Sequence, residues 1–122
     1  MSTSYSLDGK IALVTGAGSG VGRAIALELS RLKMHICMLD ISKERMEETS
    51  QEIKKAGVKV DSFLCDISSE EQVLDVFKKI KKLGSIDVAV NNAGIVPRES
   101  YAMADVPIEL WDRIMDVNVK GY

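Results

Sequence analysis

The chain has 122 residues, of which 46% are hydrophobic and 28% are charged, and this length predicts one domain with a sizeable core. Its formal net charge is −2 and the charges are mixed, so the composition indicates neither a nucleic-acid face nor a polybasic membrane surface. The polar start, Met1 to Gly9, lacks a signal-peptide core, and no apolar run approaches the ~20 residues of a membrane helix.

The first half of the chain predicts two strands and two helices. Lys10 to Thr15 is β-branched and aliphatic and too short for a helix, so it predicts a buried strand. A glycine-rich turn follows, and apolar residues from Val21 to Leu32 recur at helical spacing. His35 to Leu39 predicts the second strand, which ends at Asp40. Lys43 to Ala56 predicts a charged helix that Gly57 stops.

The second half repeats this alternation. Val58 to Leu64 predicts a third strand, and Ser68-x-x-Glu71 is a capping box that starts a helix ending near Gly84. Ile86 to Val90 predicts a fourth strand, which a loop containing Pro97 follows. Pro107 fits the first turn of another helix, whose apolar residues are Leu110, Trp111, Ile114 and Met115.

Alternating strands and helices predict parallel strands joined by right-handed crossovers. The fold class is therefore α/β, a doubly wound parallel sheet of Rossmann type with strand order 3-2-1-4. The charged helices 43–56 and 69–82 are expected to form solvated outer faces.

The turn after the first strand has the composition of a phosphate-binding corner. Gly16 allows a tight turn, Gly18 and Gly20 leave room for a pyrophosphate, and Gly22 lets the helix pack against the sheet. The free N–H groups at the start of the helix would face the phosphates. The alternative is a glycine-rich turn that binds nothing. The candidate cofactor-binding residues of this corner are Gly16, Ser19, Gly20, Val21 and Gly22.

Asp40 closes the second strand, 18 residues after Gly22. A dinucleotide fold has an acidic residue here that hydrogen-bonds the adenosine ribose hydroxyls. A carboxylate at this position would repel a 2′-phosphate. The alternative is a turn or N-cap aspartate before Ser42, and the spacing favours the ribose role.

Two motifs in this order resemble the short-chain dehydrogenase/reductase family. The first is Thr15-Gly16-x-x-x-Gly20-x-Gly22, and the second is Asn91-Asn92-Ala93-Gly94 after the fourth strand. The resemblance extends roughly from Leu7 to Gly121. An ordinary Asn-Gly turn is the alternative for the second motif, but such a turn does not require both amides.

The resemblance implies roles for further residues. Ser19 lies where a basic residue would be expected in a family member that binds NADP. Together with Asp40, it implies that NAD is preferred over NADP. Asp66 and Ile67 would hold the adenine ring, although Asp66 alone is also ordinary loop polarity near a helix start. The amide and glycine motif implies cofactor contacts for Asn92, Ala93 and Gly94. Asn118 is the candidate catalytic residue, an asparagine that bends a helix and holds a water for proton relay.

The family's catalytic Tyr-x-x-x-Lys pair and serine are not identifiable among the 122 residues. We therefore expect residues 1–122 to form an incomplete dinucleotide-binding domain that is inactive alone. It would belong to a longer enzyme, which we expect to be a homo-oligomer when complete. That enzyme would be an NAD-dependent oxidoreductase, transferring hydride between nicotinamide and a small carbonyl or alcohol substrate. The alternatives are a non-catalytic NAD-binding module, a truncated partner subunit or a truncated product without function.

In this strand order the fourth strand lies at the border of the sheet. Ile86 to Val90 is apolar on both faces, contains no proline and has Asp87 as its single charge. Little then prevents it from pairing with another chain. We expect the isolated chain to be poorly stable and to self-associate through this edge.

Cys37 and Cys65 each lie in or beside an apolar run that predicts a strand. Such isolated cysteines are most simply buried thiols in a reducing compartment, which predicts a cytoplasmic protein. His35, on the same strand as Cys37, is assigned a structural role, and the sequence predicts no metal ligands.

Overall fold

The computed structural model describes residues 6–94 and 106–120, and in the second range it describes side chains as far as Asn118. The strands are β1 (Ile11–Thr15), β2 (His35–Asp40), β3 (Val60–Leu64) and β4 (Ile86–Val90). The helices are α1 (Gly20–Arg31), α2 (Lys43–Lys54), α3 (Glu70–Lys81) and α4 (Ile108–Met115), which a π-helical turn (Asp116–Lys120) continues. None of these helices is long and apolar enough to cross a membrane. The predicted loop at Pro97 lies outside the described residues.

The four strands form one parallel sheet in the order β3-β2-β1-β4. The predicted α/β class and strand order are therefore confirmed. Because the strands are parallel, their carboxyl ends lie at one edge, where Thr15 pairs with Leu39 and Asp40 pairs with Leu64. The loops that follow the strands consequently meet at this edge.

Side chains of β1 and β2 alternate between two apolar layers, one on each face of the sheet. Burying one aliphatic side chain in such a layer stabilises the fold by about 1.5–3 kcal/mol. Helices therefore cover both faces, which makes the sheet doubly wound. The layer under α1 and α2 contains Ala12, Val14, Ala26, Ile36, Met38, Met46 and Ile53. The layer under α3 contains Ile11, Leu13, Cys37, Leu39, Cys65, Val76 and Ile80.

The two charged helices each present one narrow buried stripe to the sheet. Met46 and Ile53 of α2 are buried, as are Val76 and Ile80 of α3. Phe77, next to Val76 on α3, is 40% exposed. The remaining faces of both helices are mostly solvated, in agreement with the prediction.

Several predicted boundaries were wrong by one or two residues, and three of them are described here. The N-cap of α3 is Ser69, whose hydroxyl accepts the Gln72 N–H at 3.3 Å, whereas the predicted cap Ser68 instead bonds Asp66. Helix α2 ends at Lys54 rather than at residue 56, and β3 begins at Val60 rather than at residue 58. Errors of this size are ordinary, because helix ends fray and their assignment varies by one or two residues.

Strand β4 pairs with β1 and has no strand on its other side among the described residues. Its side chains alternate, with Ile86, Val88 and Val90 half-buried and Asp87 and Ala89 exposed. The carboxylate of Asp87 accepts the N–H of Ile11 at 2.9 Å, beside an irregularity in the β1–β4 register. The one charge of β4 therefore serves the pairing with β1, and self-association through β4 stays a prediction.

Both cysteines are buried and free of disulfides. Burial and the nearby Asp61 charge raise the pKa of Cys37 to about 11. Burial and the Asp66 charge also raise the pKa of Cys65. Both thiols are thus protonated at neutral pH, as expected of buried structural cysteines.

Candidate functional site

Thr15 joins the ends of β1 and β4 and so builds the floor of the site. Its hydroxyl oxygen accepts the N–H groups of Asn92 and Ala93, each at 2.9 Å, and its O–H donates to the Val90 carbonyl at 3.4 Å. Thr15 itself is only 5% exposed. One buried hydroxyl therefore holds the amide-rich segment against the glycine-rich turn.

The glycines of the turn have distinct reasons for lacking a side chain. Gly16 has a φ of +65°, which turns the chain sharply off β1. A Cβ on Gly22 would lie 2.1 Å from the Gly16 carbonyl oxygen and 2.6 Å from Nδ2 of Asn92, so only glycine lets α1 approach this closely. A Cβ on Gly20 would meet nothing within 4 Å, which leaves open space at the start of α1.

Gly18 packs against the chain itself. A Cβ on Gly18 would lie 2.7 Å from Cβ of Arg45 and 2.9 Å from Oδ2 of Asp40. The side of Gly18 on which a Cβ would lie is therefore filled by Asp40, the last residue of β2, and by Arg45 of α2. Room for a pyrophosphate beside Gly18 stays a prediction. This glycine allows the turn and the start of α2 to meet.

Ser19 is the N-cap of α1, in extended conformation, and its side chain makes no capping hydrogen bond. It is exposed, as is Val21, whose side chain is 66% accessible. The first N–H groups of α1 therefore open toward the turn without a side-chain cap. This end of a 12-residue helix carries the positive pole of its dipole.

Asp40 connects the loop after β2 to the glycine-rich turn. Its Oδ2 accepts the Gly18 N–H and its Oδ1 accepts the Ser42 N–H, both at 2.9 Å. Asp40 therefore stabilises the turn after β2, as the alternative interpretation expected. It does not cap α2, because the N-cap of that helix is Ser42. Each carboxylate oxygen has further acceptor capacity, and Asp40 also lines the cleft.

Asp66 is held from two sides after β3. Its Oδ1 accepts the hydroxyl and the N–H of Ser68 at 2.6 and 3.0 Å, and its Oδ2 accepts Nη1 of Arg113 at 3.1 Å. The Ser68 hydroxyl and then Arg113 lower the pKa of Asp66 below its ordinary value. The carboxylate therefore stays ionised and ties α4 to the loop after β3.

Asn118 lies in the π-helical turn after α4, beside the segment that follows β4. A Cβ on Gly94 would be 3.2 Å from Oδ1 of Asn118, so the missing side chain lets the two segments meet. Single π-turns inside helices are frequent at functional sites, because the extra residue re-aims a side chain. This geometry brings Asn118 to the carboxyl edge of β4.

These residues surround one cleft of about 240 Å³ at the carboxyl edge of the sheet. Gly20, Val21 and Gly22 form the first turn of α1 and do not themselves line the cleft. Asn118 does not line it either, but lies beside Gly94, which does. The predicted residues that line the cleft are Gly16, Ser19, Asp40, Asp66, Ile67, Asn92, Ala93 and Gly94.

Sequence reasoning missed six residues that line the cleft. Leu39 and Cys65 end or follow strands, so convergence of the strand ends could have identified them. Arg45 and Arg113 lie on helices, and only the packing of those helices brings their charges here. The six are Leu39, Ile41, Arg45, Cys65, Arg113 and Val117.

The chain is similar in sequence to known proteins. The sequence model of the family described as short chain dehydrogenase matches residues 10–122. The chain is 41% identical over 116 residues to epidermal retinol dehydrogenase 2 of Homo sapiens, covering 93% of this chain but 37% of that protein. It thus spans well under half the length of this curated relative.

Solved structures give the same result. The NAD+-bound xylitol dehydrogenase superposes with a TM-score of 0.88 at 34% identity, over 96% of this chain and 45% of that one. A metagenomic short-chain oxidoreductase in complex with NADP gives 0.89 at 31% identity, over 96% and 53%. From the matched family model and the shared fold, the chain belongs to the short chain dehydrogenase family.

Proposed function

We propose that this chain forms the cofactor-binding half of an NAD-dependent oxidoreductase acting on a carbonyl or a secondary alcohol. The observation that carries the proposal is the Asp40 carboxylate, held by two backbone N–H groups at the rim of the cleft. The retinol and xylitol dehydrogenases, both named for alcohols, support the reaction class.

The residues of the cleft suit the adenosine part of a dinucleotide. Asp40 presents acceptors for ribose hydroxyls, and Ile67 and Val117 supply apolar contact beside Asp66. The volume of about 240 Å³ is below the ~300–1,000 Å³ of typical small-molecule sites, which suggests that the described residues enclose part of the cofactor. When bound, the nicotinamide supplies the hydride chemistry.

The start of α1 suits the pyrophosphate. Its uncapped N–H groups and dipole favour an anion, and the space beside Gly20 admits one without a clash. We assign Gly16, Ser19, Gly20 and Val21 to this subsite. Gly22 acts indirectly, by letting α1 approach the turn.

We assign Asn118 the role of holding a water near the reacting atoms. Its position in a π-turn against Gly94 supports this assignment, because both segments end at the same side of the cleft. The side-chain carbonyl would accept a hydrogen bond from the water, and the amide N–H would donate one, so that the water is oriented toward the substrate side.

The preference for NAD over NADP depends on the balance between Asp40 and Arg45. A carboxylate accepts hydrogen bonds from the 2′-hydroxyl and repels a 2′-phosphate, whereas the guanidinium of Arg45 would attract one. Asp40 is fixed by the loop backbone, while Arg45 is exposed and loses more side-chain entropy on binding. We therefore expect the contribution of Asp40 to outweigh the attraction of Arg45 for a 2′-phosphate, so that NAD binds more tightly than NADP.

The test is calorimetric titration of NAD and NADP into the longest soluble form of the protein. We expect NAD to bind more tightly, and Asp40→Ala to weaken it about tenfold or more, as loss of hydrogen bonds to a charged group predicts. Asp40→Asn is the matched variant, because it keeps the shape and one acceptor, and Arg45→Gln should affect NADP alone. Tighter NADP binding by the unaltered protein, or an unchanged NAD affinity in Asp40→Ala, would contradict the proposal.

A further inference from the structure

Toward the amino ends of β2 and β3, away from the cleft, the sheet carries three different polar side chains that the proposed function does not use. His35 and Cys37 are two residues apart on β2, so both point to the α3 face of the sheet. Asp61 of β3 is the register partner of Cys37 and joins them on that face. The donor atoms of the three side chains, a ring nitrogen, a sulfur and a carboxylate oxygen, lie within 4.8 Å of one another.

This cluster has a closed inner side and an open outer side. Cys37 is fully buried, whereas the side chains of His35 and Asp61 are 12% and 42% exposed. Nε2 of His35 and Oδ2 of Asp61 are hydrogen-bonded at 2.6 Å. The cluster is therefore accessible from the β3 edge. The charged side chains beside His35 at this end of the sheet are Asp8, Lys33 and Lys59.

We propose that His35, Cys37 and Asp61 bind a divalent transition-metal ion, zinc in preference to magnesium or calcium. Imidazole, thiolate and carboxylate are the three side-chain ligand types of protein zinc sites, and the sulfur disfavours the hard cations. Three protein ligands leave a fourth tetrahedral position for water on the exposed Asp61 side. The site is separate from the cleft, which lies at the carboxyl ends of the strands.

The donor atoms are spaced within about 1 Å of what a zinc site requires. Zinc bonds of about 2.0–2.3 Å at tetrahedral angles separate neighbouring donor atoms by roughly 3.4–3.6 Å. The His35–Asp61 contact would open by about 1 Å and the widest separation in the cluster would close by about as much. On binding, Nε2 of His35 and Oδ2 of Asp61 turn from each other to the metal, and the ring proton moves through solvent to Nδ1, so that His35 binds as a neutral imidazole. The Cys37 thiol releases its proton to solvent as the sulfur–metal bond forms. The thiolate and the carboxylate then balance the charge of the ion.

The alternative is a structural hydrogen bond next to a buried thiol, with no affinity for metal. Titration of the reduced, metal-free protein with Co2+ distinguishes the two, because cobalt replaces zinc and absorbs in the near ultraviolet when a thiolate binds it. We expect saturable binding of one ion per chain, displaced by Zn2+. Cys37→Ser should abolish the thiolate absorption, and Cys65→Ser, which removes the other buried thiol, should retain it.

A second variant covers the possibility that Cys37→Ser fails to fold. Asp61→Asn alters a half-exposed residue at the sheet edge and should weaken Zn2+ binding at least about tenfold, since removal of even an outer-shell partner costs about 10–100-fold. Asp75→Asn, on the exposed face of α3, is its control and should bind as the unaltered protein does. Thermal unfolding with and without Zn2+ gives an independent readout. No saturable binding, an unchanged cobalt spectrum in Cys37→Ser, or equal affinities in the two aspartate variants would overturn the proposal.

Discussion

The carboxyl and amino edges of the sheet use polar side chains in opposite ways. At the carboxyl edge, Thr15 and Asp40 direct their oxygens to backbone N–H groups of neighbouring loops. At the amino edge, His35 and Asp61 bond each other, side chain to side chain. The carboxyl edge thus has loops held open around a cleft, whereas the amino edge has a compact cluster on the sheet face.

This difference is the reason for proposing an organic ligand at one edge and a single ion at the other. Backbone groups fixed by buried side chains keep their geometry when a ligand arrives, so little ordering entropy is lost on binding. Side chains that only contact each other can separate to admit a third partner of small size. Substitutions at the two edges should therefore differ in their effect on stability.

The largest expected effect is at Gly22. Gly22→Ala puts a Cβ 2.1 Å from the Gly16 carbonyl oxygen, a backbone atom that cannot move aside like a side-chain tip. We expect a loss of at least about 3 kcal/mol in the free energy of unfolding, the upper part of the overpacking range. Urea denaturation measures it. Gly57→Ala is the control, since its Cβ meets nothing within 4 Å and only its φ of +78° costs about 1–2 kcal/mol. Equal losses in the two variants would contradict the close approach of α1.

A smaller effect compares the two edges directly. Thr15→Val keeps the shape but leaves the N–H groups of Asn92 and Ala93 without their acceptor, which should cost about 2 kcal/mol. His35→Gln removes a bond to the half-exposed Asp61, where water can substitute, and should cost about 1 kcal/mol. Chemical denaturation of both variants under one condition tests the order. If His35→Gln proves the more damaging, the amino edge carries more of the stability than its contacts suggest.

The smallest effect concerns the link between α4 and the cleft. Ser68 and Arg113 lower the pKa of Asp66, so its stabilisation is present above the ordinary value of 3.8 and is lost as the pH falls through the lowered pKa. Arg113→Gln should therefore cost about 0–1 kcal/mol at neutral pH, since both side chains are partly exposed, and the ion-pair part of this cost should shrink as acid protonates Asp66 through its lowered pKa. Unfolding measured across this pH range checks the sign. Arg31→Gln, in an exposed pair with Glu28, is the control, and a cost from Arg113→Gln that is the same in acid as at neutral pH would argue against the ion pair.

Short-range pattern was enough to predict the elements and the glycine-rich corner. Each strand and helix follows from the spacing of apolar residues over a few turns, and the role of Gly22 follows from its position at a strand-to-helix turn. The boundaries were less determined. Ser68 and Ser69 are both competent caps, and Ser69 caps α3 because Ser68 is engaged with Asp66.

The sequence by itself determined the elements and the residues of the corner, because these depend on neighbours within one turn or strand. It also determined the parallel sheet, because strands that alternate with helices along the chain pair in parallel. Only the tertiary structure decided which distant side chains meet. Arg113 reaches Asp66 across 47 positions through the docking of α4, and Asp61 joins His35 and Cys37 through the register of β2 and β3. A shift of β3 by one residue would move Asp61 to the opposite face, and no local pattern in the chain specifies that register.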